Sequence, residues 1–226
     1  MSEAPGSGID VFYPIVPDAD WLARLVPLGV RTVQLRIKDA PREEVRRQLA
    51  ASLVVTRAHR CRLIVNDYWR EAIETGADWV HLGQEDLAGA DLEAIKAARM
   101  RLGISTHSEE ELETALAAEP DYVALGPVYE TKLKVMKWAP QGLERVRQWK
   151  ARIGDKPLVA IGGITPQRAP DVLAAGAQSV AVITDFMTAP EPEQRVREWL
   201  AWAQTTRASC RSNRISEAAQ KKRPAP

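Results

Sequence analysis

Short apolar runs alternate with longer segments of helical periodicity along most of the chain. Eight apolar runs have strand length, and between them apolar residues recur three and four positions apart, as on one face of a helix. The predicted strands cover residues 11–16, 32–35, 63–65, 79–82, 102–105, 122–125, 158–161 and 179–183. A regular alternation of strand and helix predicts parallel strands joined by helical crossovers, so the fold class is α/β.

Capping residues mark several of the predicted helix starts. Asp91 is suited to N-cap the helix that runs through Arg99, and Ser108 forms a capping box with Glu111. Thr165, followed by a proline, is the expected N-cap of another helix, and the last helix is predicted at 193–206. The long connection at 126–142 follows the sixth strand, and long loops of this kind more often carry function than not.

A glycine recurs between the end of a helix and the next strand, and its spacing indicates that the sheet closes into a barrel. Gly29, Gly76 and Gly176 each end a helix and precede a small apolar residue and a strand, before the second, fourth and eighth strands. This spacing suggests paired strand and helix units arranged in a ring. Because an open sheet would expose edge strands and need a reversal of strand order, we predict a single (β/α)8 TIM barrel.

Composition narrows the function classes without adding a site. A chain of 226 residues suits one barrel, and a net charge of +1 with 27% charged residues gives no reason to expect nucleic acid or a membrane as partner. No apolar run reaches the ~18 residues that a membrane span needs. The two cysteines, Cys61 and Cys210, do not form a disulfide framework, and a reducing cytoplasmic location is expected.

The two ends of the chain differ in composition from the middle. Residues 1–10 are small and polar, and we predict a disordered leader; residues 11–207 form the predicted barrel, the catalytic domain. Residues 208–226 are predicted to be a basic, disordered tail, because their apolar content is too low to form a core. From Arg207 onward the chain carries a surplus of five positive charges, for which a solvated tail is favoured over an arm that binds an anionic partner.

Acidic and amide side chains follow the third and fourth strands. Asn66 and Asp67 end one of them, and Gln84, Glu85 and Asp86 follow the other. In a parallel barrel the carboxyl ends of the strands share one face, so these groups should lie close together. Asp67 and Asp86 are therefore candidates to hold Mg²⁺ together with waters and a substrate phosphate.

Cations and glycines at other strand ends favour phosphorylated ligands. Alternation places Gln34, Arg36 and Lys38 on one side of the extended second strand. Arg36 can bind phosphate oxygens with a planar fork, while Lys38 supplies a point charge. Gly162 and Gly163 precede a helix and would allow backbone N–H groups to approach an anion. The combination predicts two phosphorylated substrates.

Seven segments, in the same order, are similar to the thiamine phosphate synthase family. They span nearly all of the predicted barrel and are residues 33–39 (VQLRIKD), 65–70 (VNDYWR), 80–87 (VHLGQEDL), 103–107 (GISTH), 125–129 (LGPVY), 139–143 (APQGL) and 160–164 (AIGGI). This resemblance implies a transferase that joins 4-amino-2-methyl-5-hydroxymethylpyrimidine diphosphate to thiazole phosphate with release of diphosphate. It also implies dependence on Mg²⁺ and early cleavage to a pyrimidine cation, which makes stabilisation of departing negative charge the main catalytic task.

The resemblance also implies a role for each site residue. Asp67 and Asp86 would bind the metal, and Gln34 would orient the pyrimidine. The diphosphate or its metal would be contacted by Arg36, Lys38, Asn66, Ser105 and Lys134, of which Arg36, Lys38, Ser105 and Lys134 are the predicted catalytic residues. Thr131, Gly163 and Thr184 would bind thiazole phosphate.

Three positions depart from the family pattern, all in the half expected to bind thiazole phosphate. Glu130 replaces a proline, Leu133 replaces a threonine, and Asp185 is expected to add negative charge close to the phosphate. A thiazole tautomerase-like enzyme and a non-catalytic regulatory barrel that binds a thiamine precursor are therefore alternatives. His107 does not discriminate, since related tautomerases and synthases both carry a histidine there, and His81 is expected to pack inside the protein.

Overall fold

The computed structural model describes residues 8–131 and 138–221, with side chains up to Ser209. Within these residues eight parallel strands, in sequence order, close into a barrel, which confirms the predicted (β/α)8 fold. The strands are β1 (Phe12–Val16), β2 (Thr32–Leu35), β3 (Arg62–Asn66), β4 (Trp79–Leu82), β5 (Arg101–Thr106), β6 (Tyr122–Leu125), β7 (Leu158–Ile161) and β8 (Ser179–Val182). The helices are α1 (Ala19–Leu25), α2 (Arg42–Ala58), α3 (Trp69–Thr75), α4 (Gln84–Ala88), α5 (Leu92–Ala97), α6 (Glu109–Ala117), α7 (Gly142–Ile153), α8 (Ala169–Ala174), α9 (Thr184–Met187) and α10 (Pro192–Lys221).

The strands are buried on both faces, which explains why they are short continuous apolar runs in the sequence. Their outer faces pack against the helices in one large core. Their inner faces fill the barrel with a smaller cluster that includes Tyr13, Ile64, Trp79 and Tyr122. Since side chains alternate along a strand, this cluster identifies which strand-end residues point into the barrel.

Helix boundaries agree with the sequence where a side chain caps the helix. Asp91 accepts a hydrogen bond from the N–H of Ala94, and Ser108 accepts one from the N–H of Glu111, as predicted. The reciprocal half of the predicted capping box does not form, because the Glu111 carboxylate accepts from the N–H of His107. The start of α8 was predicted wrongly: it begins at Ala169 because residues 166–168 first form a turn, whose Arg168 N–H bonds the carbonyl of Thr165. Helices α4 and α9 were not predicted, because their five and four residues are too few to show helical periodicity.

The end of the predicted leader is part of the fold. The backbone N–H of Asp10 bonds Thr32 Oγ1 at 3.1 Å, and its carbonyl accepts from Ser179 Oγ at 2.6 Å. Its carboxylate accepts from Arg207 Nη1 at 2.7 Å. Asp10 therefore joins the amino-terminal ends of β2 and β8 to α10, which corrects the predicted disorder at this residue. Residues 1–7 lie outside the described residues.

The last helix is longer than predicted. It packs through Val196, Trp199 and Ala203, and the Trp199 ring stacks on Phe12 with centroids 5.1 Å apart. Its backbone then continues to Lys221, whereas residues 208–226 were predicted to be disordered. The segment up to 221 contains no glycine or proline and many residues with good helix propensity, so a helix already begun can propagate without new core contacts. Among the described residues no helix combines the length and the apolar character that crossing a membrane requires.

Candidate active site

The carboxyl end of the barrel gathers the predicted polar residues of β2 to β5. Gln34 is buried and donates to Tyr13 Oη at 2.6 Å, and His81 Nε2 lies 2.7 Å from Ser105 Oγ. Asn66 is two residues beyond the inward-facing Ile64 and therefore lies on the same inner face. The side chains of Gln34, Asn66 and Ser105 thus lie on the inner face of the barrel, near the carboxyl ends of β2, β3 and β5.

Local backbone geometry brings the two predicted metal ligands together. Asp67 has φ +66°, in the left-handed region, and its N–H bonds the carbonyl of His81 at 2.9 Å. This bond holds the turn after β3 against β4. Asp86 lies in the first turn of α4, and a Cβ at Gly83 would come within 3.3 Å of Asp86 Oδ2. The two carboxyl groups are close enough for Asp86 to raise the pKa of Asp67.

The electrostatics of this carboxylate pair favour a cation. Burial and the neighbouring charge of Asp86 raise the pKa of Asp67 from its ordinary 3.8 to about 6, against the opposing effects of Lys38 and Arg36. Lys38 Nζ lies 3.9 Å from Asp67 Oδ2 but is half-exposed, which limits its compensation. The pair therefore retains unbalanced negative charge that a bound cation would neutralise.

The donor set resembles that of Mg²⁺ sites in particular. Among the described residues no group of three or more His, Cys, Asp or Glu side chains could hold a metal ion. A cation at Asp67 and Asp86 would thus have two protein carboxylates and take its other ligands from water and substrate oxygens. Mg²⁺ is usually bound in this manner, through one or two carboxylates together with substrate phosphates.

The raised pKa predicts how stability depends on pH. The carboxyl group of Asp67 favours the folded state most below its ordinary pKa, and this contribution is lost as the pH rises through about 6. We therefore compare the thermal midpoints of the wild type and Asp67→Asn in the presence of a chelator. As the pH is raised from about 4 to about 7, the midpoint of the wild type should decrease relative to that of the variant. Mg²⁺ should restore the wild-type midpoint at the higher pH. A difference that does not vary with pH would show that the two carboxylates do not repel each other.

A cavity of about 320 Å³ adjoins the carboxylate pair. Arg42 and Glu71 both line it, with Arg42 Nε 3.1 Å from Glu71 Oε1, and Glu71 is almost wholly buried. Arg42 begins α2, just after the segment with Lys38, and Glu71 lies in α3, just after Asp67. The ion pair therefore ties together the two segments that carry the predicted cation and the predicted metal ligand. The cavity is lined by Arg42, Asp67, Tyr68, Trp69, Arg70, Glu71, Glu85, Asp86 and Gly89.

His81 lies inside the barrel, as expected, but it also makes polar contacts that the sequence did not reveal. Its Nδ1 is 2.7 Å from Tyr122 Oη, and Tyr122 Oη is 3.0 Å from Tyr13 Oη. Burial, with a smaller contribution from Arg36, lowers the pKa of His81 to about 3, so the imidazole is neutral. The signal available in the sequence was alternation, since His81 lies two residues after the inward-facing Trp79.

His107 takes part in a different set of contacts. Its Nδ1 lies 2.8 Å from Glu111 Oε2, which also accepts from its backbone N–H. Its ring stacks on Trp138 with centroids 5.8 Å apart. Gln84, beside the predicted metal ligands, donates to the carbonyl of Ser105 at 2.7 Å. His107 and Gln84 thus support the segment after β5 and the end of β5.

The glycine pair after β7 packs tightly against the segment after β6. Gly162 and Gly163 have φ +106° and +62°, and a Cβ at Gly163 would lie 2.3 Å from the carbonyl oxygen of Glu130. The N–H of Tyr129 also bonds the carbonyl of Gly162 at 3.0 Å. Close backbone packing therefore requires glycine here, and it brings the segment that leads to Thr131 alongside Gly163. Lys132, Leu133 and Lys134 lie outside the described residues.

Asp185 does not present the negative charge that the sequence suggested. Its carboxylate accepts from Arg195 Nε at 2.8 Å and Nη2 at 2.9 Å, and from Trp199 Nε1 at 2.7 Å. The side chain is therefore directed to α10 and its charge is paired, which corrects the expectation of repulsion at a phosphate. Thr184, one residue earlier, is the half-buried first residue of α9.

The position of Asp185 predicts an effect on stability. Asp185→Asn should lower the free energy of unfolding by about 2 kcal/mol, because it removes charge-assisted hydrogen bonds from a largely buried group. Urea unfolding would measure this, with Asp155→Asn in an exposed loop as the matched control. Equal midpoints for the two variants would show that the contacts with Arg195 and Trp199 contribute no net stability.

Comparison with known proteins identifies the family. A family model described as Thiamine monophosphate synthase matches residues 12–186. A thiamine-phosphate synthase of Rhizobium etli is 62% identical over 197 residues, 85% of this chain and 95% of that protein. The enzyme of the same name from Salmonella typhimurium is 49% identical, covering 84% and 90%. Among solved structures, thiamine phosphate pyrophosphorylase from Pyrococcus furiosus matches with a TM-score of 0.74 and 29% identity, covering 86% of this chain and 95% of that one. The chain therefore belongs to the thiamine monophosphate synthase family and is a transferase.

Proposed function

We propose that the protein joins 4-amino-2-methyl-5-hydroxymethylpyrimidine diphosphate to thiazole phosphate and releases diphosphate, using Mg²⁺. The observation that carries this proposal is the juxtaposition of Asp67 and Asp86 with Arg36 and Lys38 at the carboxyl end of the barrel. The positive charges of Arg36 and Lys38 both act on Asp67, so the cations and the carboxylate pair belong to one site. A diphosphate bound together with a divalent cation needs positive side chains for its oxygens and carboxylates for the metal ion.

In this proposal the chain's own groups hold the diphosphate. Arg36 binds its oxygens with two parallel hydrogen bonds, Lys38 adds a mobile positive charge at the rim, and Ser105 contributes a hydroxyl. Asn66 faces the same opening. Asp67 and Asp86 would hold Mg²⁺, which when bound neutralises charge on the diphosphate and on the departing group.

The proposed reaction is dissociative. The bond between the pyrimidine methylene carbon and the diphosphate oxygen breaks, and its electron pair leaves on that oxygen. The lone pair of the thiazole nitrogen then forms the new bond to the methylene carbon, so no side chain has to act as a strong base. Gln34 would orient the pyrimidine ring. Preorganised positive charge where negative charge develops accounts for the acceleration.

The other half of the opening suits thiazole phosphate. Thr131, Gly163 and Thr184 follow β6, β7 and β8, and the loops after the seventh and eighth strands are the usual phosphate site of this fold. Pairing of Asp185 with Arg195 removes an obstacle to binding an anion there. Lys134 remains a proposed contact to the diphosphate, from outside the described residues. The buried free thiol of Cys61 is consistent with a cytoplasmic location.

The test uses the purified full chain with both substrates and Mg²⁺. We expect thiamine phosphate and diphosphate to appear in equal amounts and to disappear when a chelator replaces Mg²⁺. Binding of the pyrimidine diphosphate without any product would contradict the synthase proposal and favour a regulatory barrel. Isomerisation of a thiazole phosphate alone would favour the tautomerase-like alternative.

A further inference from the structure

A continuous chain of side-chain hydrogen bonds crosses the barrel interior. Gln34 Nε2 lies 2.6 Å from Tyr13 Oη, which lies 3.0 Å from Tyr122 Oη. Tyr122 Oη lies 2.7 Å from His81 Nδ1, and His81 Nε2 lies 2.7 Å from Ser105 Oγ. The chain thus connects five strands, from Gln34 on β2 to Ser105 on β5, both of which are proposed substrate-binding residues.

The packing around this chain holds its members in place. Tyr13 and Tyr122 are 1% and 0% exposed, and Gln34 and His81 are 3% and 7% exposed. The Tyr122 ring stacks on His81 with centroids 5.5 Å apart, and it occupies the space above Gly103, where a Cβ would lie 2.0 Å from Tyr122 Cζ. Buried polar groups need hydrogen-bond partners, and here each finds its partner in the next member of the chain.

The number of protons on these side chains determines which group donates in each hydrogen bond of the series. The Nε2 of Gln34 can only donate, so Tyr13 Oη accepts from it, and the single hydroxyl proton of Tyr13 points to Tyr122. The proton of Tyr122 then points to His81 Nδ1, which must be unprotonated to accept it. The opposite order would leave the buried hydroxyl proton of Tyr13 without an acceptor among these five side chains, and an unpaired buried donor is unfavourable.

This direction fixes the tautomer of His81 and the role of Ser105. A neutral imidazole with an unprotonated Nδ1 carries its proton on Nε2, which donates to Ser105 Oγ. The Ser105 oxygen then accepts from His81, and its own proton is available for an acceptor beyond the strand end. In the reverse order Ser105 would donate to His81 and present only lone pairs, which repel an anion.

We propose that Gln34, Tyr13, Tyr122 and His81 act as a positioning chain that holds Ser105 as a hydrogen-bond donor toward an oxyanion. The identity of that oxyanion as the substrate diphosphate rests on the proposed function. His81, Tyr122 and Tyr13 act through Ser105 and are positioning residues. His81 is accordingly not a general base, although it is the buried histidine nearest the site.

The first test measures the tautomer and does not depend on activity. The sequence has three histidines, so ring-¹⁵N labelling of the full chain gives few signals, and His81→Gln assigns the one of interest. We expect the proton on Nε2 in the wild type and a mixture of both tautomers in Tyr122→Phe, which removes the donor to Nδ1. A proton on Nδ1 in the wild type, or an unchanged pattern in Tyr122→Phe, would overturn the proposal.

Thr106→Val provides the matched structural control. Thr106 lies next to Ser105 on β5 but faces outward, where its Oγ1 accepts from Trp149 Nε1 at 2.8 Å. The variant loses this hydrogen bond and the one that Thr106 Oγ1 donates to the carbonyl of Ala124 at 2.9 Å, so it should lower stability and leave the His81 tautomer unchanged. A tautomer shift in this variant would show that the proton position on His81 depends on the overall stability of the protein and not on the hydrogen bonds that link Gln34 to His81.

The second test asks which ring nitrogen of His81 is needed, by replacing the imidazole with amide side chains of two lengths. Glutamine at position 81 can place an N–H near the Nε2 position, whereas asparagine reaches only to the Nδ1 position. His81→Asn should lower kcat/KM roughly 10-fold to 100-fold, as loss of a supporting partner does elsewhere, and His81→Gln should retain most activity. Combining His81→Asn with Ser105→Ala should cost no more than Ser105→Ala alone. Equal losses for Asn and Gln, or additive losses in the double variant, would overturn the proposal. An inactive wild type with the Nε2–H tautomer would instead refute only the proposed function.

Discussion

Asp67→Asn and Asp86→Asn should each lower kcat/KM for thiamine phosphate formation by about 1,000-fold or more, the scale of losing a major electrostatic contribution to catalysis. Each substitution leaves a single carboxylate at the site, which is too little charge to compete with water for Mg²⁺ beside Arg36 and Lys38. The assay is steady-state turnover over a range of Mg²⁺ concentrations. Activity should not be recovered fully at any of them.

Stability measurements separate this loss from misfolding. In a chelator at neutral pH, Asp86→Asn should be more stable than the wild type, because the charge of Asp86, which after burial is the main cause of the raised pKa of Asp67, is gone. Loss of activity with a gain of stability is the pattern expected of two carboxylates held together for function. Glu93→Gln, which changes an exposed carboxylate on α5, is the matched control. Normal turnover in either aspartate variant would remove that residue from the metal site.

Arg36→Met is expected to have the second largest effect, a loss of about 100-fold in kcat/KM. The guanidinium lies close enough to Asp67 and His81 to influence the pKa of both, which places it between the carboxylate pair and the barrel interior. Arg36→Lys should recover only part of the activity, because an ammonium group cannot form the two parallel hydrogen bonds of the planar fork. Steady-state kinetics with varied pyrimidine diphosphate would measure both variants.

The matched control for Arg36 is an arginine at the other end of the same strand. Arg31→Met changes an exposed arginine just before β2, on the face remote from the site, and should leave kinetics unchanged. If Arg36→Lys were fully active, a point charge would suffice and the proposed paired contact with the diphosphate would be wrong.

The barrel could be predicted because its strands are buried on both faces and therefore contrast with the helices in composition and period. The sequence locates β2 correctly at Thr32–Leu35 for this reason. It could not reveal α4 and α9, which are shorter than two helical turns. The sequence also underestimates the length of α10, because low apolar content argues against a core but not against a helix that continues past its last core contact.

The candidate site was predictable only where strand order alone determines proximity. Asp67 and Asp86 follow neighbouring strands, so the fold brings them together. The orientation of Asp185 depends on Arg195, ten residues later on α10, and no rule about strand ends includes that partner. Tyr13 and Tyr122 were missed because an aromatic residue within an apolar strand does not show whether its hydroxyl is used.

Because Asp10 contacts Arg207, the protein should tolerate circular permutation. This contact holds the start of β1 and the later part of α10 together on the face of the barrel opposite the carboxylate pair. A short linker could therefore join these two points, and new termini could be opened in a connection between other strands, without moving any strand of the ring. The order in which the eight units are encoded would then change while the arrangement that binds the substrates stayed the same.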